Sequence, residues 1–153
     1  METELAWIQF DMASIIAYQN DLKSTISFIL DELPDVNWNS LLETREYLLS
    51  NHNIYTRSLR IIDLFELKEN LEQEEYPEDI DEAREVLTGL IELKKLQFSI
   101  RNYTQNIIKH ADEHGYYPLR LVDGVWLQQN KRSISYDPNI QECVIEMHIP
   151  AAQ

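Results

Sequence analysis

The side chains to weigh for chemistry in this chain are its four histidines, its single cysteine, its many carboxylates and one arginine, Arg45, and only three of its 153 residues are glycine. That scarcity leaves no glycine-rich phosphate loop. No calcium loop, dinucleotide fingerprint or Ser–His–Asp order is present either. The most metal-like string is His110-Ala111-Asp112-Glu113-His114. On a helix its two histidines stand one turn apart on one face, with a carboxylate nearby to act as a base. Gly115 follows at once and is expected to end that helix, so the second histidine falls on a fraying turn. A third ligand from Glu142, Glu146 or His148 would have to be brought in by a strand. The expectation is a chain that holds no metal and no cofactor. Cys143 alternates with polar neighbours in Glu142–Ile149 and reads as a small core residue. One cysteine also excludes an internal disulfide framework and a multi-cysteine zinc site.

The H-x-x-E-H string also matches the signature of inverted zinc peptidases, for which this chain is short. A second pair is Arg45 and His52, seven residues apart and so on one face of a continuous helix. This Arg-x6-His spacing resembles the catalytic pair of HEPN domains, small all-helical ribonucleases. The resemblance covers these two residues and the helical bundle. It implies cleavage of RNA across a dimer interface, with the histidine in acid–base work. The polar residue that family favours after the arginine is here Glu46.

Charge is the strongest signal. The chain carries 27 acids against 13 bases, a net charge of −14. Such a balance argues against direct binding to nucleic acid or an anionic membrane. Residues 63–85 hold eleven acids: Asp63, Glu66, Glu69, Glu72, Glu74, Glu75, Glu78, Asp79, Asp81, Glu82 and Glu85. Only Lys68 and Arg84 oppose them. A run of this kind serves as a solvated corner in many proteins. At this density it can also imitate a phosphate backbone and steer a basic partner. Glu72, Glu74, Glu75, Glu78, Asp79 and Asp81 are the expected contact residues, with Tyr76 as an aromatic anchor.

The elements that must position these residues follow from periodicity. Leu5, Ile8, Met12, Ile15, Gln19, Leu22, Ile26, Ile29 and Leu33 step by three and four, which predicts one helix over residues 4–32 closed by Pro34. Gln19 is its one polar member and reads as a partly exposed or hydrogen-bonded amide. Ser40 and Glu43 have capping-box spacing and open a second helical region over 40–72. Its inner face is expected to be Leu41, Leu48, Tyr55, Leu59 and Ile62, with a possible break at Asn51–Asn53 left open. Asp79 and Glu82 mimic a capping box for a third helix over 80–114, with Ala83, Leu87, Leu90, Leu93, Leu96, Ile100, Tyr103 and Ile107 inward. After Gly115 the period becomes two, and Asp123-Gly124 is a hairpin signal. Strands are predicted over 119–122, 125–129 and 141–149. Tyr116, Tyr117, Trp126 and Tyr136 cluster near the junction, where core packing is the expected role.

These elements give an α+β fold: an antiparallel three- to four-helix bundle followed by a small three-stranded antiparallel meander. The whole is expected as a single domain over 1–153, with the bundle over 1–115 and the meander over 116–153. The N-terminus lacks the pattern of a signal peptide and no apolar run suits a membrane span, so a cytoplasmic protein is expected. The function expected is that of a non-enzymatic acidic protein-binding module. It would be an inhibitor, immunity protein or phage-type antagonist docking on a basic partner such as a nuclease. The alternatives are the HEPN-like ribonuclease and a structural or assembly protein completed by self-association. A homodimer is expected if a helix of this length leaves part of its apolar stripe uncovered.

Overall fold

The computed structural model describes residues 4–73, 80–137 and 142–144. Along the chain run β1 (Glu4–Gln9), α1 (Met12–Glu32), α2 (Leu41–His52), α3 (Ile61–Gln73) and α4 (Ile80–Ser99). A π-helical turn (Ile100–Thr104), α5 (Gln105–His110) and strands β2 (Tyr116–Val122), β3 (Val125–Leu127), β4 (Ser135–Asp137) and β5 (Glu142–Val144) follow. The class is α+β, with helices and a three-stranded antiparallel sheet. The sheet order is β1-β2-β3, so its third strand comes from the start of the chain. The chain divides into two compact units, Met1–Ser24 with Phe98–His148, and Thr25–Gln97 with Ile149–Gln153.

The strand at residues 4–9 corrects the helix expected there. Leu5 and Ile8 fit a helical step, but the helix start is set after them, at Asp11. The cap is Asp11: its carboxylate accepts from the Ser14 hydroxyl at 2.8 Å and its carbonyl from the Ile15 amide at 3.1 Å. The Ser14 amide, one of those a helix start leaves open, also donates to the Asp11 carboxylate, at 3.4 Å. The Ser14 bonds also hold the Asp11 carboxyl below its usual range. The segment before the cap pairs antiparallel with β2, from Glu4 opposite Leu121 to Gln9 opposite Tyr116. Paired residues share a face. Ile8, Tyr117 and Leu119 bury one face at 5%, 0% and 0% exposure. Leu5, Trp7 and Tyr116 lie exposed on the other.

The predicted hairpin forms at Asp123–Gly124, whose φ values of 51° and 79° suit the tight turn that matches strand twist. β3 stops at Leu127, short of the expected 129, and Leu127 then bridges to Ser133. The expected strand over 141–149 appears as β5 over Glu142–Val144, paired with β4, and its remaining residues lie outside the described ones. Among the helices of this first unit, Gln19 donates to the Thr104 hydroxyl at 3.1 Å, the hydrogen-bonded amide its position suggested.

The helix expected to reach residue 114 ends at His110. Asp112 is the cause. Its carboxylate accepts from the His114 and Tyr116 amides at 2.9 Å each, and its carbonyl from the Gly115 amide at 3.0 Å. A short carboxylate that captures local amides competes with the helix ladder. Gly115 therefore closes a turn rather than a helix. Its φ is +85°, and a Cβ there would sit 2.4 Å from the Phe10 carbonyl oxygen.

The second unit is built on one apolar core. Trp38, Leu48, Ile54, Leu64, Leu71 and the α4 residues Ala83, Val86, Leu87, Leu90, Ile91 and Leu93 form it. Ile26, Ile29, Leu33 and Val36 pack against it. Ser40 caps α2 by accepting from the Glu43 amide at 3.2 Å, half of the predicted capping box. The possible break at Asn51–Asn53 is real. Asn53 is left-handed (φ 54°), and the Ile54 amide reaches back to the Leu48 carbonyl at 3.1 Å. This bond, the Asn53 amide's bond to the Leu49 carbonyl at 3.2 Å and the buried Ile54 terminate α2.

Two alanine substitutions separate backbone strain from close approach. Gly124→Ala meets nothing within 4 Å and carries only the strain of a positive φ, about 1–2 kcal/mol. Gly115→Ala adds the overlap with Phe10 and should cost about 2–5 kcal/mol. Urea midpoints of the two variants against wild type check the order.

Candidate functional site

Once α2 ends at His52, the helix that follows is re-phased. Ile61, Leu64, Leu67 and Leu71 of α3 turn toward the core. Ile62 and Phe65 are left outside at 39% and 47% exposure. This corrects the face expected from one continuous helix. Ile62 and Tyr55 were to lie inward, and Tyr55 is 57% exposed. Glu66 and Glu69 stand exposed on the same outer side of α3, at the three- and four-residue spacing that makes helix neighbours. The outer face thus carries two apolar side chains bordered by carboxylates. No residue of this face other than the acids was foreseen from the sequence, and the signal that would have found it is the phase shift at Asn53.

The start of α3 is held by a polar cluster. Asp63 is 7% exposed. It accepts from the Ser58 hydroxyl and from Arg57 at 3.1 Å, and the Arg60 guanidinium lies at 3.6 Å. The Ser58 bond first, and then Arg57, hold the Asp63 carboxyl below the usual carboxylate range against the opposing effect of burial. Asp63 also stands in the first turn of α3, where a negative charge suits the helix dipole. One of the eleven acids of the run is therefore consumed by the fold. The others among the described residues are exposed: Glu66, Glu69, Asp81, Glu82 and Glu85. Asp81, an expected contact residue, has its Oδ1 3.5 Å from Arg84 and is 89% exposed. Glu72 is placed by its backbone alone, in the last turn of α3. Glu74, Glu75, Tyr76, Glu78 and Asp79 lie outside the described residues.

Arg45 and His52 both stand on α2, and their surroundings differ. The Arg45 Nε donates to the Thr56 carbonyl at 2.8 Å and its Nη2 to the Arg57 carbonyl at 2.7 Å. Its guanidinium lies 5.0 Å from the centre of the Tyr55 ring. The arginine is thus a clamp on the loop between α2 and α3. His52 is 9% exposed and neither ring nitrogen has a protein hydrogen-bond partner. Its ring meets Tyr47 edge-on at 5.6 Å, and Tyr47 in turn meets Trp38 at 5.2 Å. No hydrogen bond, ion pair or ring contact joins Arg45 to His52.

His110 and His114 are exposed and are not on one helix turn, because α5 stops between them. The His114 Nε2 lies 3.4 Å from Glu113. Among the described residues no three His, Cys, Asp or Glu side chains converge as a metal site would require. Cys143 lies in β5 opposite Tyr136, and Tyr136 packs edge-on against Trp126 at 5.1 Å. Tyr117 is fully buried, with its hydroxyl accepting from Asn106 and from the Gln129 amide. These aromatic side chains pack within the fold, as expected of them, while Tyr116 remains 40% exposed.

Two outcomes follow from the polar clusters. Asp63 has a folded pKa below its ordinary value of 3.8. Its contribution to stability is complete above that value and disappears as pH falls through the lower folded value. Asp63→Asn should lower the urea midpoint at pH 7 and flatten the loss of stability on acidification below about pH 4. Arg45→Met keeps length and removes two charged hydrogen bonds to carbonyls, for an expected loss of about 2–3 kcal/mol. Arg45→Lys should recover only part of it, since one ammonium cannot reproduce the fork of donors. Chemical denaturation of the three variants checks both.

No protein family, curated protein or solved structure matches this chain.

Proposed function

We propose that this chain is a non-enzymatic acidic protein-binding module. It acts as an inhibitor, immunity protein or phage-type antagonist by occupying a basic partner such as a nuclease. The observation that carries the reading is the outer face of α3, where Ile62 and Phe65 are exposed beside Glu66 and Glu69. An apolar centre with a charged rim is the anatomy of a protein interface. The unit that contains it holds seventeen acids against seven bases, while the other holds ten against six. A field concentrated on one unit steers a basic surface toward that unit and speeds encounter. The residues of histidine and arginine chemistry are, in contrast, occupied: Arg45 by two carbonyls and His52 by burial. An RNA-cleaving histidine has to reach a phosphate, which the buried ring does not.

The partner is to be recovered from the native host and its association followed by stopped flow at several salt concentrations. The wild-type association rate should fall steeply as salt rises. Glu66→Gln with Glu69→Gln should slow association, and the larger variant Glu74→Gln, Glu75→Gln, Glu78→Gln, Asp79→Asn should slow it further. Phe65→Ala should instead speed dissociation, weakening binding by about 2 kcal/mol, roughly thirtyfold in Kd. All three should keep the wild-type circular dichroism. Unchanged rates in every variant at low salt would refute the reading.

A further inference from the structure

We propose that β1 is the seat of a symmetric dimer, in which its free edge pairs antiparallel with β1 of a second copy. The inference is independent of the acidic face of α3. β1 is the outer strand of the sheet order β1-β2-β3, and among the described residues no strand pairs with its other side. The register with β2 and one loop bond show which backbone groups face that side. The Phe10 amide donates to the Gly115 carbonyl at 2.9 Å, in line with the register that pairs Gln9 with Tyr116. Inward-facing residues alternate along an antiparallel pair. Phe10, Ile8, Ala6 and Glu4 therefore face β2, while the amides and carbonyls of Leu5, Trp7 and Gln9 face the open edge.

Among the described residues that edge carries none of the devices that usually block pairing. The strand Glu4–Gln9 contains no proline and no lysine. Its register with β2 is unbroken, so no bulge twists it away. Leu5 and Trp7 are 61% and 62% exposed on the outer face. An exposed, regular and apolar edge is a template for another strand.

The second copy fits this edge in a definite register. Centring the two-fold on Trp7 sets Trp7 opposite the partner's Trp7 and Leu5 opposite the partner's Gln9. Every outward amide and carbonyl of Leu5, Trp7 and Gln9 then meets a counterpart, and exposed side chains stay on one face. Charge supports the same occupant. The one charged residue of the strand, Glu4, falls opposite the partner's Phe10. The two Glu4 carboxylates are then about 20 Å apart, beyond the roughly 8 Å reach of a charge at physiological salt. The copies also meet through the unit with ten acids and six bases, not through the one with seventeen and seven. A foreign strand would have to supply this neutral, self-matching pattern, which the chain already carries. The exposed parts of the two Trp7 rings amount to roughly 200–300 Å². A strip one strand long falls short of the roughly 1,200 Å² of a stable complex. The dimer is therefore reversible, and it is closed because the contact is isologous.

Sedimentation velocity of the full chain from about 1 μM to about 1 mM tests this. The wild type should move from the 18.1 kDa chain toward twice that mass as concentration rises. Trp7→Lys places a charge at the centre of the pairing. Leu5→Pro removes an outward amide and leaves the ladder to β2 intact, which an edge strand tolerates. Both should sediment as monomers throughout, with wild-type circular dichroism and melting at micromolar concentration. A wild type that stays monomeric near 1 mM overturns the proposal. So does either folded variant that associates as strongly as the wild type. Should one variant fail to fold, the other decides.

Discussion

The pairing of Glu4–Gln9 with Tyr116–Leu121 joins two segments more than a hundred residues apart, and the first unit is arranged around it. It decides which side chains are core, because a strand has only two faces. Ile8, Tyr117 and Leu119 go inward together, and Tyr117 brings its hydroxyl to the Asn106 amide and to the turn at Gln129. A slip of β1 by one residue would send Leu5 and Trp7 inward and expose Ile8. The pairing also requires a tight entry into β2. Gly115 supplies it, since only a residue without a Cβ can stand against the Phe10 carbonyl at a φ of +85°. Asp112 stops α5 early enough to leave room for that turn.

In the second unit the corresponding decision is made at Asn53. A helix that continued through the residue would have carried its apolar stripe on to Ile62. The left-handed turn resets the phase, and Arg45 fixes the reset by gripping the Thr56 and Arg57 carbonyls. α3 then begins where Ser58, Arg57 and Arg60 meet Asp63. Its inward residues complete the core with α4, and its outward residues are the apolar and acidic set from which a docking role was argued. The polar groups of the loop are thus the structural cause of the surface, and a change in Arg45 would alter that surface without touching it.

Much of this was legible in the sequence. The α4 stripe, the Asp123–Gly124 hairpin, the Ser40 cap and the role of Gln19 all follow from local spacing. What escaped depends on partners distant in sequence. Leu5 and Ile8 satisfy a helical step as well as a strand alternation, and only β2 decides between them. Gly115 after two histidines looks like a helix end, and its closeness to Phe10 is invisible until β1 is placed. The acidic run was plain, but composition could not say that Asp63 is spent on the start of α3. Nor could it say that Phe65 comes to the surface, because that depends on the phase set at Asn53.

The residues that most resembled catalytic machinery are, among the described residues, held apart by local structure. Arg45 donates to carbonyls within twelve residues of itself, and His52 lies on the buried side of the same helix. His110 and His114 are separated by the turn that Asp112 builds. Spacing places two groups on one helix face only if the helix persists between them. It leaves open whether that face meets solvent, loop or core. A short motif therefore carries less about chemistry here than the distribution of charge. Charge acts over distances longer than a helix turn and survives a phase shift that rotates every motif. The charge of the chain is unchanged by the corrections in α2 and α3, whereas the exposed Ile62 and Phe65 of the proposed docking face, like the surroundings of the Arg-x6-His pair, are set by them.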